Sequence, residues 1–289
     1  MTAVMRTDGL GHRYRGGVCG LRDCTLEVPP GRVVALVGPN GSGKTTLLNM
    51  AAGLLPPSTG TVEVDGMPPG ERLDRIGYVA QDAPLWPRLR VADVLEIGRC
   101  LNPRFDTDLA TGRIHQLGIQ TGARINTLSG GERAQVALTL VLAKQPELML
   151  LDEPLSNLDP LARRDFLTSM FAACSDTGAS VLFSSHVVAE LERICDYLIV
   201  LRAGRVRLAG DIDELRRIHR IVTGPTGWLA SGGRAVINER SGGGRTIALV
   251  RSDPSNLTGP GLEEATPTFD ELVLGYLEDD EPIAEEALA

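Results

Sequence analysis

The sequence predicts an α/β fold built on an open, largely parallel sheet with helices on its faces. Three observations lead to this prediction. Residues 33–37 form a short apolar run that a glycine-rich loop joins to a helical segment, residues 148–151 are continuously apolar, and residues 181–183 form a third apolar run. Unbroken apolar runs are typical of parallel strands covered on both faces, and ligands bind at the carboxyl ends of such strands. We therefore expect the functional residues to follow these runs.

The loop after the first run carries the most informative motif. Residues 38–46 read Gly-Pro-Asn-Gly-Ser-Gly-Lys-Thr-Thr, and Gly38, Gly43, Lys44 and Thr45 fill the Walker A pattern. In that pattern the glycines free backbone N–H groups to surround phosphates, the lysine supplies a positive charge and the threonine hydroxyl holds Mg²⁺. The following helix points its positive end at the phosphates. The residues of the predicted nucleotide site are Gly38, Pro39, Asn40, Gly41, Ser42, Gly43, Lys44, Thr45 and Thr46.

Composition narrows the class of protein. The chain has 289 residues, 43% of them hydrophobic, which is sufficient for a buried core. No apolar run approaches the ~20 residues that a membrane-spanning helix needs, and the first residues lack a signal-peptide pattern, so we expect a cytosolic protein. The net charge is −8, much of it in the acidic residues 278–289, which disfavours a nucleic-acid partner. Five scattered cysteines predict free, mostly buried thiols.

The segments on either side of the Walker A loop read as strands, and those before it suggest an antiparallel sheet. Residues 1–28 contain short alternating segments, Pro29, Pro30 and Gly31 turn the chain into the first apolar run, and residues 61–66 alternate again. Tyr14 leaves two interpretations open. Its ring stacks on a nucleotide base, or it is an ordinary half-buried strand tyrosine, and position alone favours neither.

A helical insertion follows the short strand predicted at residues 76–81. Gln81 stands at the end of this strand, where in isolation it reads as a solvated loop residue. Prolines break the chain just beyond it and a helical pattern resumes at residues 91–101. We expect the insertion to span about residues 82–145.

An apolar string lies at the start of this insertion. Leu85, Trp86 and Leu89 are expected to be exposed, and Trp86 stands between two prolines. One interpretation is that a partner covers the tryptophan. The other is that Trp86 packs back on the insertion's own helices.

A serine and two glycines precede the next helical pattern. Residues 128–132 read Leu-Ser-Gly-Gly-Glu and open a helix over residues 133–144. Such an entry presents free N–H groups and a hydroxyl at the positive end of a helix, which suits an anion. Alone, the pentapeptide is more often a helix cap than a ligand site. Ser129, Gly130 and Gly131 are therefore candidates for either role.

Two carboxylates end the second apolar run. Asp152 and Glu153 come directly after residues 148–151, at the sheet edge where the Walker A loop lies. We expect Asp152 to hold Mg²⁺ through water and Glu153 to polarise the water that attacks the γ-phosphate. His186 follows the third apolar run and differs from the other histidines by this position. The histidines that read as structural or solvated are His12, His115 and His219.

These motifs resemble those of the nucleotide-binding subunit of ATP-binding cassette (ABC) transporters. Over about residues 10–215 they occur in the family's order and spacing. They are Walker A at residues 38–45, the Q-loop at Gln81, the signature at residues 128–132, Walker B at residues 148–152 with Glu153, the D-loop at residues 156–159 and the switch His186. One departure is Glu132, where the family usually has glutamine. The resemblance implies a P-loop NTPase cassette with a RecA-like core, an antiparallel β subdomain and an α-helical subdomain that carries the signature.

The resemblance also implies how the residues act. In the family two subunits dimerise head to tail, and each ATP lies between the Walker motifs of one subunit and the signature of the other. The implied catalytic residues are Glu153, His186 and Gln81, and the implied Mg²⁺ ligands are Thr45, Gln81 and Asp152. Outside Walker A, the residues assigned to ATP are Tyr14, which matches the family's adenine-stacking aromatic, Ser129, Gly130, Gly131 and Asp159, which links the two sites.

Within the family, the chain resembles actinobacterial ATPases of ABC-2 type exporters, relatives of bacitracin and multidrug efflux subunits. The segments concerned are residues 102–106, 155–163, 184–193 and 202–215. The resemblance implies an ATP hydrolase that powers export of a drug, antibiotic or lipid through a separate ABC-2 type permease. Such a subunit is cytoplasmic and peripheral on the inner face of the membrane. Two alternatives remain: an importer ATPase subunit, and a soluble ABC ATPase that acts on nucleic acid or ribosomes.

Beyond residue 220 the resemblance fades. Residues 234–240 and 246–252 alternate around a Ser-Gly-Gly-Gly turn and predict a hairpin, and residues 268–271 form a capping box for a final helix through residue 277. This predicts a cassette over residues 1–219, a small appended α+β module over residues 220–277 and a disordered acidic tail at residues 278–289. The module binds a regulator or the partner subunit, or it serves packing.

Overall fold

The central sheet is built from short apolar strands that are buried on both faces. A computed structural model describes residues 3–156, 158–185, 188–228, 235–251 and 261–278 of the chain. The sheet's strands are β3 (Val33–Val37), β5 (Ile76–Val79), β6 (Leu148–Asp152), β7 (Ser180–Ser185), β8 (Tyr197–Arg202) and β9 (Arg205–Asp211). Their order is β5-β6-β7-β3-β8-β9, with β9 antiparallel to β8 and the other neighbouring pairs parallel. This confirms the predicted α/β fold, and it places the carboxyl ends of β6, β7 and β3 side by side.

A smaller antiparallel sheet covers one face of the central sheet. It has the order β2-β1-β4, formed by β1 (Met5–Arg13), β2 (Cys19–Val28) and β4 (Thr59–Val64). Inward-facing residues of these strands share a hydrophobic cluster with α1 (Lys44–Ala51) and the central sheet. The packing holds the helix that follows the Walker A loop against both sheets.

Three helices lie within the segment expected to be an insertion. They are α2 (Val91–Leu101), α3 (Thr107–Gln116) and α4 (Gly130–Ala143), and they surround a hydrophobic cluster of their own. Two short 3₁₀ helices lie at Pro69–Glu71 and Ile125–Thr127. The helix expected over residues 133–144 begins three residues earlier, at Gly130, because Ser129 caps it.

The expected apolar string at the start of this segment is largely covered, which corrects the prediction. Leu85 and Leu89 are half-buried and pack against the helical cluster, and Leu85 also packs against the main core. Only Trp86 is exposed, at 57% of its surface. The helices of the insertion provide the apolar surface that the two leucines need, so a partner is not required to cover them.

The remaining helices and strands of the described residues follow in chain order. They are α5 (Pro160–Thr177), α6 (Val188–Leu191), α7 (Ile212–Ile218), β10 (His219–Pro225), β11 (Ala235–Gly242), β12 (Arg245–Arg251), β13 (Glu263–Ala265) and α8 (Phe269–Glu278). The four strands form an antiparallel sheet of order β11-β12-β10-β13. The hairpin expected around the glycine turn is present as β11 and β12, with Gly243 and Gly244 at positive φ. The capping box is present too: the Glu271 N–H donates to the Thr268 hydroxyl, and the Thr268 N–H donates to the Glu271 carboxylate.

The last helix packs into the core of the cassette rather than only against its own sheet. Phe269, Leu272, Val273 and Tyr276 of α8 belong to the hydrophobic cluster that holds the residues of β6, β7 and β8. His219 is buried where β10, α7 and α8 meet. Its ring nitrogens make hydrogen bonds to the Leu215 carbonyl and the Tyr276 hydroxyl, both at 2.7 Å. Of the two roles expected for His219, structural or solvated, it has the structural one.

The cysteines and the hydropathy of the helices complete the description. All five cysteines are free, but only Cys24 is fully buried and Cys100 is exposed. Burial raises the pKa of Cys24 to about 12. Among the residues that the structure describes, no helix combines the length and apolar character needed to cross a membrane.

Candidate functional site

The Walker A loop wraps tightly over the end of β3. A Cβ atom on Gly38 would overlap the Leu201 carbonyl oxygen and the Ser42 hydroxyl, and a Cβ on Gly43 would meet the Gly20 carbonyl oxygen. Gly43 also has φ 106°, a conformation that other residues avoid. Glycine is therefore required at both positions, and Gly43 directly precedes the first residue of α1.

Lys44 lies over this loop and is almost fully buried. Its Nζ donates to the Gly38 carbonyl at 2.7 Å and to the Pro39 carbonyl at 3.3 Å. It also lies 3.6 Å from the Glu153 carboxylate. A phosphate group in the loop would offer the ammonium stronger, charged acceptors than these carbonyls.

Asp152 ends β6 beside the loop and has one oxygen without a partner. Its side chain is 1% exposed, and Oδ1 accepts a hydrogen bond from the Ser184 hydroxyl at 2.8 Å. Oδ2 is buried and has no hydrogen-bond partner within the described part of the chain, and the same is true of the Ser42 hydroxyl. A buried carboxylate oxygen without a partner is costly unless something binds it.

This arrangement fits Mg²⁺. The described residues contain no group of three or more histidine, cysteine or acidic side chains that would hold a metal ion by themselves. Mg²⁺ does not need such a cage, because it is commonly bound by one or two carboxylates together with waters and substrate phosphates. The negative charge of Asp152 also acts on its surroundings: burial, and then this charge, raise the pKa of Tyr78 to about 12.

Glu153 follows Asp152 in a left-handed conformation, with φ 45°. Its N–H donates to the Ser184 hydroxyl at 2.9 Å, and its side chain reaches Lys44. The carboxylate thus stands between the Walker A lysine and an open cleft. A base that is to accept a proton from water near a bound γ-phosphate needs this position.

The cleft brings together segments that are far apart in the sequence. Its lining includes Asp82 of the Q-loop region, Gly130 and Arg133 of α4, Glu153, and Leu158 of the D-loop. Gln81 itself is exposed two residues beyond β5. The signature helix and the predicted catalytic acid of one chain therefore border the same space.

The signature residues form a capped helix end that faces solvent. The Ser129 hydroxyl accepts from the Glu132 N–H, and the Ser129 N–H donates to the Glu132 carboxylate at 2.8 Å. Glu132, the departure from the family's usual glutamine, thus closes a capping box that glutamine would also close. Within the described residues, no hydrogen bond or ion pair joins this helix end to the Walker A loop of the same chain.

Asp159 and Tyr14 have defined positions as well. Asp159 is exposed and caps α5, because its Oδ1 accepts from the N–H groups of Leu161 and Ala162. Tyr14 follows β1 rather than lying in it, and its hydroxyl is 2.9 Å from the Thr46 hydroxyl. The ring of His12 contacts the Tyr14 ring edge-on at 4.6 Å. Tyr14 is therefore held beside the Walker A helix with 39% of its surface exposed.

Some residues of this site were not predicted, and two residues of the predicted motifs are not described. His186 lies outside the described residues, as does Asn157 of the D-loop. Ser184, Asp82 and Arg133 were not predicted. The sequence does contain a signal for Ser184, because it is a polar residue at the carboxyl end of an apolar strand. The same argument was applied only to His186, two residues later.

Comparison with known proteins places these features in a family context. The family model described as "ABC transporter" matches residues 21–156. An uncharacterized ABC transporter ATP-binding protein of Nostoc sp. is 34% identical over 74% of this chain and 68% of its own length. The thiamine import ATP-binding protein ThiQ of Escherichia coli is 36% identical over 66% of this chain and 86% of its own length. A solved structure of an ATP-binding subunit of an ABC transporter matches with a TM-score of 0.67 and 27% identity, over 74% of this chain and 92% of that one.

Other relatives carry import names and differ in length. The molybdenum import ATP-binding protein ModC of Yersinia pestis is 36% identical, and this chain spans 55% of it. The phosphonates import ATP-binding protein PhnC of Hyphomonas neptunium is also 36% identical, with 81% of its length spanned. The chain thus covers between about half and most of the length of these relatives.

Proposed function

This chain belongs to the ABC transporter ATP-binding proteins, and on that premise we propose that it binds and hydrolyses ATP to drive transport through a separate membrane permease. The observation that carries the proposal is the meeting of three groups at one sheet edge. These are the glycine-built loop with Lys44, the buried Asp152 with an unpartnered oxygen, and Glu153 at 3.6 Å from the lysine. Together they match what phosphoryl transfer to water requires.

Each residue has a proposed task in the reaction. Lys44 leaves the loop carbonyls and contacts the phosphates of ATP, which the loop N–H groups and the end of α1 also hold. Glu153 accepts a proton from the attacking water. Asp152, Thr45 and Gln81 are the proposed Mg²⁺ ligands. When bound, Mg²⁺ neutralises charge on the β- and γ-phosphate oxygens.

Two further residues are proposed to contact the adenine ring and the γ-phosphate of ATP. Tyr14 stacks on adenine, which its exposed ring beside Thr46 supports. His186 is proposed to contact the γ-phosphate. Both assignments follow the resemblance of the motifs.

The second half of the site is proposed to come from another copy of the chain. Ser129, Gly130 and Gly131 present a solvent-facing helix end, and no hydrogen bond of the described residues ties it to the Walker A loop of the same chain. In a head-to-tail homodimer this end would close over the γ-phosphate bound by the partner copy, and Asp159 would lie between the two sites. Helix ends of this kind favour anions.

The direction of transport is a separate question, and the relatives favour import. The exporter prediction, with an ABC-2 type permease and multidrug efflux, has no support among these relatives, since those named for a cargo are named as import proteins. We therefore place an importer subunit, peripheral on the inner face of the membrane, ahead of the exporter. A soluble ATPase acting on nucleic acid or ribosomes is the weakest of the three, because the net charge of −8 disfavours such a partner.

The proposed chemistry is tested by changing Glu153 to glutamine. The amide keeps the shape of the side chain but does not act as a base, so steady-state ATP hydrolysis should fall by about 10²-fold or more. ATP binding should persist, and ATP should convert the variant from monomer to dimer in light scattering. Turnover within about 10-fold of the parent would reject the role of Glu153.

Ser129→Arg in the Glu153→Gln background is the matched test of the sandwich. The bulky side chain occupies the signature helix end, so ATP should no longer produce dimers while nucleotide binding persists. A mass that does not depend on ATP in either protein would count against the head-to-tail arrangement.

A further inference from the structure

Ser184 connects the two acidic residues of the site through one hydroxyl group. It is fully buried on β7, the strand between β6 and β3, and it lies opposite Asp152 in the strand register. Its Oγ donates to Asp152 Oδ1 at 2.8 Å and accepts from the Glu153 N–H at 2.9 Å. A single hydroxyl therefore contacts the side chain of one acid and the backbone of the next.

The first hydrogen bond determines which Asp152 oxygen is left for a cation. Oδ1 is satisfied by Ser184, whereas Oδ2 is buried without a hydrogen-bond partner in the described chain. Rotating the carboxylate part of the way would break the bond to Ser184, and a half-turn would only exchange its two equivalent oxygens. The serine thus holds the carboxylate with Oδ2 turned away from it and available.

The second hydrogen bond supports an unfavourable backbone conformation. Glu153 has φ 45°, which is uncommon for residues other than glycine, asparagine and aspartate. Its N–H has the Ser184 hydroxyl as a buried acceptor, and this conformation directs the side chain toward Lys44 and the cleft. Losing the acceptor would remove the hydrogen bond of the Glu153 N–H and with it a restraint on the acid.

We propose that Ser184 is a positioning residue that orients Asp152 and Glu153 together and thereby sets the affinity of the site for its divalent cation. The inference rests on the proposed function, because it takes Asp152 as a metal ligand. Hydrogen bonds that orient a metal ligand typically change metal affinity by about 10- to 100-fold when they are removed. Ser184 does not touch the nucleotide in this proposal and acts through the two acids.

Ser180 provides a matched control on the same strand. It is also a buried serine of β7, four residues earlier on the same face, and its hydroxyl accepts from the Gly31 N–H at 2.8 Å. It lies at the opposite end of the strand from the site. Ser180→Ala and Ser184→Ala therefore each remove one buried hydroxyl that accepts from a backbone N–H, but only Ser184→Ala affects the acids.

The experiment measures metal binding directly, in the full chain. Mn²⁺ is titrated into each protein with a non-hydrolysable ATP analogue and followed by electron paramagnetic resonance, and the Mg²⁺ dependence of ATP hydrolysis is measured in parallel. We expect Ser184→Ala to weaken Mn²⁺ binding by about 10-fold or more and to raise the Mg²⁺ requirement similarly. Ser180→Ala should leave both values within about 2-fold of the parent.

The outcomes separate this inference from the proposed function. Mn²⁺ affinity of Ser184→Ala within about 2-fold of Ser180→Ala would overturn the role of Ser184 and leave the ATPase assignment intact. A parent that binds no Mn²⁺ with the nucleotide would overturn the proposed function itself. If Ser184→Ala does not fold, Ser184→Cys against Ser180→Cys makes the same comparison, because a thiol fills similar space but is a weak donor and acceptor.

Discussion

Replacing Phe269 with alanine should destabilise the whole cassette, although this residue lies more than a hundred positions beyond Asp152. Phe269 is 0% exposed and belongs to the cluster that also contains Leu198 of β8 and Leu215 of α7. Truncating a buried phenylalanine costs about 3–5 kcal/mol of unfolding free energy, from lost transfer energy and the cavity left behind. Against a total of about 5–15 kcal/mol for a typical protein, this is a large share.

The assay is urea denaturation followed by two probes. The chain has two tryptophans, and Trp228 is buried against the C-terminal sheet while Trp86 is exposed. Trp228 fluorescence thus reports on the C-terminal sheet and far-ultraviolet circular dichroism reports on the whole chain. Because α8 belongs to the shared core, both transitions should shift together to lower urea.

Leu274→Ala on the same helix is the control. Leu274 is 45% exposed, so its truncation should change the free energy of unfolding by no more than about 0.5 kcal/mol. A cost below about 1 kcal/mol for Phe269→Ala, or a shift of the fluorescence transition alone, would show that α8 and the central sheet do not share one core.

Three further predictions concern the binding of adenine, the buried His219 and the contact with the membrane permease. Tyr14→Ala should raise the KM for ATP by about 10-fold, because the stacking on adenine is lost. Tyr14→Phe loses only the hydrogen bond to Thr46 and should raise the KM less. Equal KM values for the two variants would argue against stacking. Burial lowers the pKa of His219 from 6.5, so as the pH falls the unfolded chain binds a proton before the folded chain does. The free energy of unfolding should therefore fall below about pH 6.5, by up to about 1.4 kcal/mol per pH unit. His219→Gln should flatten this part of the pH profile in urea titrations, and an unchanged slope would contradict it. Trp86→Glu should leave ATP hydrolysis intact but reduce recovery of the permease in pull-downs from detergent-solubilised membranes, and undiminished recovery would remove Trp86 from that interface.

Features that depend on neighbouring residues alone can be predicted from the sequence. The Walker A loop needs glycines at Gly38 and Gly43, a lysine and a following helix within a dozen residues, so the order of residues is sufficient to predict it. The hairpin of β11 and β12 and the capping box at Thr268 are local in the same sense, and both are present. The α/β fold followed from apolar runs that only a sheet covered on both faces accommodates.

Which distant residues meet depends on how the helices and strands pack together. Ser184 contacts Asp152 because β7 pairs with β6 in one register, and a shift of one residue would turn the hydroxyl to the other face. Leu85 and Leu89 are covered because the helices of the insertion pack beside them, and α8 joins the main core because the C-terminal sheet brings it there. These contacts join residues far apart in the chain, and their free energy comes from packing and register, which no local pattern of residues records.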